Sequence, residues 1–560
     1  MLSRRRLLAT PRVSRVLALT LACAAASLAG VSAGAAAAGR AAAPRKSSVL
    51  DAPANWPAYD RTLAGDRYAP LTEISRANVA RLRLECTYTL PEVGAFETGP
   101  IVVDGTMYFT TDERSFAIDA ATCKPKWTHF RRSSRPSLLH VDRGFAYLAG
   151  RLFRGTSDGH VIALEASTGR ELWDHTIEPN GPGVSIPMAP IAADGKVFVG
   201  NAGGDNAGVT GHVYALDARD GHLLWSFDVV PASVRDSWTN TRLPITGGAF
   251  WTSFTFDRAK GILYVPAGNP APDFDSLDRT GADLYSDSII ALDAATGRMI
   301  AYNQLVRHDS HDWDVDSPPT LVTTKSGREI IASANKDGLL SILDRGGVEL
   351  AMPVPSGGGT TVIPLLSQTP TTTRTNVSES LSRSRAVRFC PGIMGGVEWN
   401  GAAYSPLSNS LFVAAVDWCA RVQIVRHLKV PPRGQIWFGS AIPMAKMFDP
   451  ASAARGRISA FDAESGSLRW QLETPHPMLA GVTPTASGLL FAADLGGVIY
   501  AIDQRSGRVL WQASTGQAVG GGIISYEAGG HERIAVASGM KSSTWPGAAA
   551  HSRILVYGLE

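Results

Sequence analysis

HVIALEASTGRELW (160–173), HVYALDARDGHLLW (212–225), RISAFDAESGSLRW (457–470) and VIYAIDQRSGRVLW (498–511) are four copies of one unit. Each has an apolar strand, an acid, a glycine four residues after the acid and a tryptophan eight residues after it. SFAIDAATCKPKW (115–127) keeps the acid-to-tryptophan spacing, and SIIALDAATGRMIAY (288–302) and LLSILDRGGVEL (339–350) are degenerate copies. An alternating strand, a turn and a second strand ending in an aromatic read as a β-hairpin. Such a unit cannot bury its own faces, so it packs against neighbours of its kind. Acids mark seven units, at Asp119, Glu165, Asp217, Asp293, Asp344, Asp462 and Asp503. The 118-residue gap between Asp344 and Asp462 leaves room for an eighth, which we assign to LSNSLFVAAVDWCARVQIV (407–425). Eight four-stranded units closed in a ring predict an all-β fold, an eight-bladed β-propeller with tryptophan-docking repeats. A linear solenoid is the competing geometry, and the long irregular inserts between units suit a propeller better. The polar stretch 355–385 is expected to be a long surface loop. Residues 44–560 are expected to form this single domain.

Charged residues make up 18% of the chain, below the usual ~25%, and glycine is abundant at 56 residues; both lean towards a sheet- and turn-rich protein. The first 43 residues run from a basic head, SRRRLLATPR, through VLALTLACAAASLAG to a string of alanines. That order is expected to be an export signal, secretory or twin-arginine, which puts the mature protein in the periplasm. Its apolar run is shorter than the ~20 residues of a transmembrane helix, and no later segment is apolar for long enough. Removing 1–43, with six arginines and no acids, turns the formal charge from +3 to −3. A mildly acidic chain has no electrostatic footprint for nucleic acid. Four cysteines remain, an even number in an exported chain, and the pairs Cys86–Cys123 and Cys390–Cys419 are expected. There is no CxxC pair for a metal site and no CxxCH for a covalently held c-type haem.

The Asp–Thr–Gly–Trp hairpin, together with NWPAYDRTLAGDRYAPLTEISRANV (55–79), resembles the quinoprotein alcohol dehydrogenases that use pyrroloquinoline quinone (PQQ). The likeness runs from about residue 50 to the end. Non-catalytic propellers of outer-membrane assembly share the hairpin, so the site residues decide. The family's chemistry needs an aromatic face under a flat quinone, polar partners for its carboxylates, a Lewis acid and a carboxylate base.

The resemblance implies a role for each of nine residues. Trp251, eighteen residues before Asn269, matches the tryptophan stacked under the quinone. Asn269 in AGNPAP matches an amide metal ligand, and Asp314 in HDWDVD matches a ligand that is also the catalytic base. Asp205 stands where the family usually has a glutamate ligand, a shorter carboxylate with one extra residue in the following loop. Asp316 resembles the extra acid of lanthanide-using members, but WDVDSPPTL also resembles runs in calcium-using sugar oxidisers. Lys336 in ANKDG matches the cation that hydrogen-bonds the quinone oxygens. Arg143 and Glu97 match contacts to the cofactor's carboxylate and ring edge. Glu398 takes the place of an asparagine that points at the cofactor. Read by themselves, these residues are also what turns, solvated acid loops and blade cores contain. Two family features are missing: the adjacent cysteines that cover the quinone read Ser137-Leu138, and a threonine before MAP is Pro187. His308 and His311 are expected to be structural.

The implied cofactors are PQQ with Ca2+ or a lanthanide ion. The implied activity is oxidation of an alcohol, polyol or sugar hydroxyl by hydride transfer to metal-bound PQQ. A soluble cytochrome c-type protein is the implied electron acceptor, and a homodimer is allowed. The rival reading is a non-catalytic envelope scaffold, which would have no reason to keep Asn269, Asp314 and Lys336 together.

Overall fold

Trp173 leaves its own hairpin and lies over the turn of the next one, its indole N–H donating to the Ala218 carbonyl at 3.3 Å. Trp127 donates to Ala166 at 2.9 Å, Trp225 to Ala294 at 3.2 Å and Trp470 to Gln504 at 3.0 Å. In each case the acceptor is the residue after the turn acid of the following hairpin. The turn glycine under the indole, Gly169, Gly221, Gly297 or Gly507, has a φ of +73°, +77°, +74° or +72°. It is glycine for two reasons. The left-handed backbone disfavours a side chain, and a methyl on Gly221 would sit 2.6 Å from the Trp173 ring. The degenerate 339–350 hairpin lacks the tryptophan; there Thr369 donates instead to the Gly466 carbonyl at 2.8 Å.

The two reasons can be separated by experiment. Gly195 has a φ of +76°, and a methyl placed on it would meet nothing within 4 Å, so Gly195→Ala carries backbone strain alone. Gly221→Ala is expected to lose clearly more stability in urea unfolding, beyond the roughly 1 kcal/mol of an unfavourable φ. Equal losses would contradict tryptophan docking as the second reason.

The computed structural model describes residues 52–135, 140–238, 242–348, 361–542, 544–546 and 551–560; the export-signal expectation for 1–43 lies outside them. Eight sheets of four antiparallel strands follow one another as blades, with a parallel fifth strand, Thr361–Val362, added at the outer edge of the fourth. In chain order they occupy 101–130, 146–176, 191–228, 255–304, 320–370, 402–474, 483–514 and 523–559. Apolar faces of adjacent blades share cores, as where Phe198 of blade 3 meets Phe256 of blade 4 at 5.9 Å.

The count of eight stands, but its eighth member is not where the sequence put it. The strand Ser410–Asp417 inside 407–425 is the second strand of blade 6 and pairs with Arg455–Asp462 of the 457–470 hairpin. The eighth blade consists of Ile523–Ala528, His531–Ser538 and Arg553–Leu559, completed by Leu82–Thr89 from the other end of the chain. That strand closes the ring, and the Cys86–Cys123 disulfide ties it to the turn of blade 1. The surface-loop expectation for 355–385 is also corrected. Leu365–Pro370 is the outermost strand of blade 5, paired with Leu339–Asp344. An outer strand turns one face to water, so its polar composition resembles that of a loop. Among the described residues no helix is long and apolar enough to cross a membrane.

Within an antiparallel blade, the segment entering the first strand and the loop between the second and third strands lie at the same end. Glu97, Arg143, Trp251, Asp314 and Glu398 all precede a first strand, and Asp205, Asn269 and Lys336 all follow a second one. Eight dispersed sequence positions are thereby gathered at one end of the ring.

Candidate active site

Asp314 is the hub. Its Oδ1 accepts the indole N–H of Trp251 and the backbone N–H of Asn269, each at 3.1 Å. Its Oδ2 lies 2.8 Å from Lys336 Nζ, which also reaches Asp312 Oδ2 at 3.1 Å. Gly268 makes this convergence sterically feasible, because a methyl there would run into Asp314 Oδ1. Lys336 is buried. Burial alone would lower its pKa, but the charges of Asp312 and Asp314 reverse that and raise it well above its usual value. It is therefore a fixed ammonium.

A second set adjoins this one. Arg143 and Glu97 are both buried and form an ion pair at 2.7 Å. The guanidinium lies between two indoles, 5.0 Å from the Trp251 ring centre and 4.8 Å from that of Trp399, the interplay expected of a cation on aromatic faces. Trp251 is only half-buried. Glu398 is buried, and desolvation pushes its carboxyl up to about 7 despite the charge of Lys336. Asp316 is raised well above the carboxylate range, by burial first and then by Glu398 and Asp314.

The third set was only partly visible in the sequence. Carboxylate oxygens of Asp205, Asp273 and Asp312 all lie within 4.8 Å of one another. Burial, and then the charge of Asp314, raises Asp205 to about 6, while the Asn269 side chain hydrogen-bonds it and opposes the shift. Asp273 and Asp312 are raised well above the usual range, again by burial first. Asp273 and Asp312 are the residues missed. Asp273 lies in the same GNPAPD run as Asn269, and Asp312 two residues before Asp314, so alternation around Trp313 was the available signal. His311 stacks on Trp313 at 4.2 Å and His308 pairs with Asp283 at 3.3 Å. Ser137 and Leu138 lie outside the described residues. The Pro187 carbonyl accepts the backbone N–H of Arg143 at 2.8 Å, so that position supports the site through its backbone.

Both implied groups fit what is there. Both oxygens of Asp273, both of Asp316 and Oε1 of Glu398 are buried with no hydrogen-bond partner. Buried carboxylates are ordinarily satisfied, and an excess of anionic oxygens is what a hard cation accepts. On the other side, Arg143 Nε and Trp399 Nε1 are buried donors with no hydrogen-bond partner. Beside the Trp251 face they fit a flat, carboxylate-bearing ring.

A family model described as the glucose/ethanol/alcohol dehydrogenase β-propeller domain, named for PQQ, matches residues 56–355. Another, described as outer membrane protein assembly factor BamB, matches residues 454–539. The quinohemoprotein alcohol dehydrogenase of Comamonas testosteroni is 28% identical over 524 residues, 87% of this chain and 72% of that one. The lanthanide-dependent methanol dehydrogenase of Methylacidiphilum fumariolicum is 28% identical over 487 residues, 80% of this chain and 79% of the relative. The crystal structure of the Comamonas testosteroni enzyme superposes with a TM-score of 0.80 at 26% identity, covering 91% of this chain and 82% of that one.

Proposed function

Because this chain belongs to the PQQ family of glucose/ethanol/alcohol dehydrogenase β-propellers, we propose that it oxidises an alcohol, polyol or sugar hydroxyl with Asp314 as the base. Membership makes it a PQQ-dependent oxidoreductase acting on CH–OH donors, in a family with a lanthanide-dependent member. When bound, PQQ supplies a two-electron acceptor and the Ca2+ or lanthanide ion a Lewis acid. The remaining work falls to this chain's own residues.

Asp205, Asn269 and Asp314 form the ion-binding set, joined by the adjoining acids Asp273, Asp312 and Asp316. Arg143, Glu97 and Glu398 hold the polar rim of the ring, and Trp251 supplies the face beneath it. Asp314 takes the proton of the substrate hydroxyl. Trp251 and the Asn269 backbone hold its Oδ1, which leaves Oδ2, beside Lys336, as the oxygen that accepts the proton. Lys336, 2.8 Å from Oδ2, orients the carboxylate between turnovers. The observation that carries the proposal is the convergence of Trp251, Asn269 and Lys336 on one buried carboxylate.

Residues 1–43 act as the export signal and residues 44–560 as a single propeller domain working in the periplasm. Electrons then leave to a soluble cytochrome c-type acceptor. The cofactor-free protein should bind PQQ only with an added cation, seen as bound-quinone absorbance. At a hundredfold excess over Kd, binding should add about 2.7 kcal/mol of stability. Absence of binding with Ca2+ and with La3+ would refute the reading.

A further inference from the structure

Blade 6 carries an insert between Ser410–Asp417 and Arg455–Asp462 that returns across the site-bearing end of the ring. With the segment before the blade it forms a small layer of its own. Val387–Phe389 pairs antiparallel with Ala420–Val422, and the Cys390–Cys419 disulfide joins the two. Phe389, Ile393, Val422 and Met447 are buried within the layer.

Each acid of the Asp205–Asp273–Asp312 cluster is attached to this layer. Trp437 donates its backbone N–H to the Asp205 carbonyl at 2.7 Å, and Ala207 donates back to Gln435 at 2.9 Å. Phe274, next to Asp273, donates its N–H to the Phe438 carbonyl at 3.0 Å, with the two rings 6.0 Å apart. Trp313, next to Asp312, donates its indole N–H to the Pro391 carbonyl at 3.1 Å, beside the disulfide. The Trp437 indole is itself buried and fixed by a bond to the Lys429 carbonyl at 3.0 Å. All these contacts run through backbone and neighbouring rings, so they set where the carboxylates lie without consuming them. Like charges this close repel, and the loops that bear them come from different blades. Lys336 and the Asn269 side chain bond two of these acids from within the blades, and the layer ties the three loops together from outside.

We propose that residues 435–439 are a strap that positions the cation site, with Trp437 and Phe438 as positioning residues and Cys390–Cys419 as its staple. This rests on the reading of the acid cluster as facing the ion. Gly439 has a φ of +73°, and a methyl on it would lie 3.1 Å from Asp275 Cβ and 3.3 Å from Pro272 Cβ, so Gly439→Ala presses the strap off the Asp273 loop. Trp437→Pro removes the donor to Asp205. Gly530→Ala is the control, because Gly530 has a φ of +81° and nothing around it.

The test is isothermal titration of La3+ and of Ca2+ into the cofactor-free full chain in the presence of PQQ. Gly439→Ala and Trp437→Pro are expected to weaken cation affinity at least tenfold, and Gly530→Ala to leave it unchanged even where its Tm falls. Replacing both Cys390 and Cys419 by serine should also weaken affinity, whereas the same change at Cys86 and Cys123 should not. The two serine pairs decide the matter should the strap variants fail to fold. Normal binding by the wild type with equal affinity in both serine pairs would overturn the strap and leave the cation site standing. A wild type that binds neither ion would overturn both.

Discussion

Asp314→Asn is expected to lower kcat by about 10²–10⁴-fold with little change in Tm, the factor that a positioned general base contributes. The amide preserves shape and can still accept the Trp251 and Asn269 N–H groups at Oδ1, which lie 3.1 Å away. What it cannot do is take a proton. The neighbouring Lys336 would lose one of two carboxylate partners and keep Asp312 at 3.1 Å, so the fold should survive. Steady-state turnover and thermal unfolding of the same preparation check both halves. A scaffold protein would be indifferent to the change, so retained turnover with retained folding would assign the base elsewhere.

Lys336→Met should act chiefly on stability. The lysine is the cation nearest to both Asp312 and Asp314 in a site that water scarcely reaches. Removing one partner of a buried ion pair leaves uncompensated charge and typically costs about 3–5 kcal/mol. The sign with pH follows from the acids left behind. Asp312 already binds its proton more readily in the folded protein than an unfolded aspartate would, because burial raises its pKa. A carboxylate of that kind favours the fold below its unfolded pKa, and that contribution is lost as pH rises through the folded one. The deficit of Lys336→Met in the cofactor-free protein should therefore be smaller at pH 5 than at pH 8. Urea unfolding at the two values measures it, and a deficit that is larger at pH 5 would contradict the charge argument.

The parts of this molecule that were legible in the sequence are those written locally. The acid, glycine and tryptophan of the four full hairpins are within eight residues of one another, so the docking unit could be read without knowing what it docked on. Ring closure could not, because Leu82–Thr89 and Arg553–Leu559 pair across nearly the whole chain and neither carries the motif. The outer strand Leu365–Pro370 was hidden by its polar, water-facing composition. At the site, Trp251, Asn269, Asp314 and Lys336 were found by resemblance, and the structure brings them into direct contact. Asp312 lies two residues before Asp314, has a φ of +62° and reaches Lys336 at 3.1 Å. Phe274, next to Asp273, bonds to Phe438 of the blade 6 insert, far along the chain. Neither acid was among the positions matched by resemblance, which is why both escaped the sequence reading despite their nearness to Asn269 and Asp314.

Everything functional turns on Asp314 being a base beside a bound quinone and a hard cation. The direct measurement is dye-linked oxidation of a panel of alcohols, polyols and sugars by cofactor-free protein reconstituted with PQQ and either Ca2+ or La3+. The expected result is turnover of at least one hydroxyl substrate that requires both PQQ and a cation and is lost in Asp314→Asn. Protein that binds PQQ with neither ion, or turnover that survives the Asp314→Asn change, would contradict it.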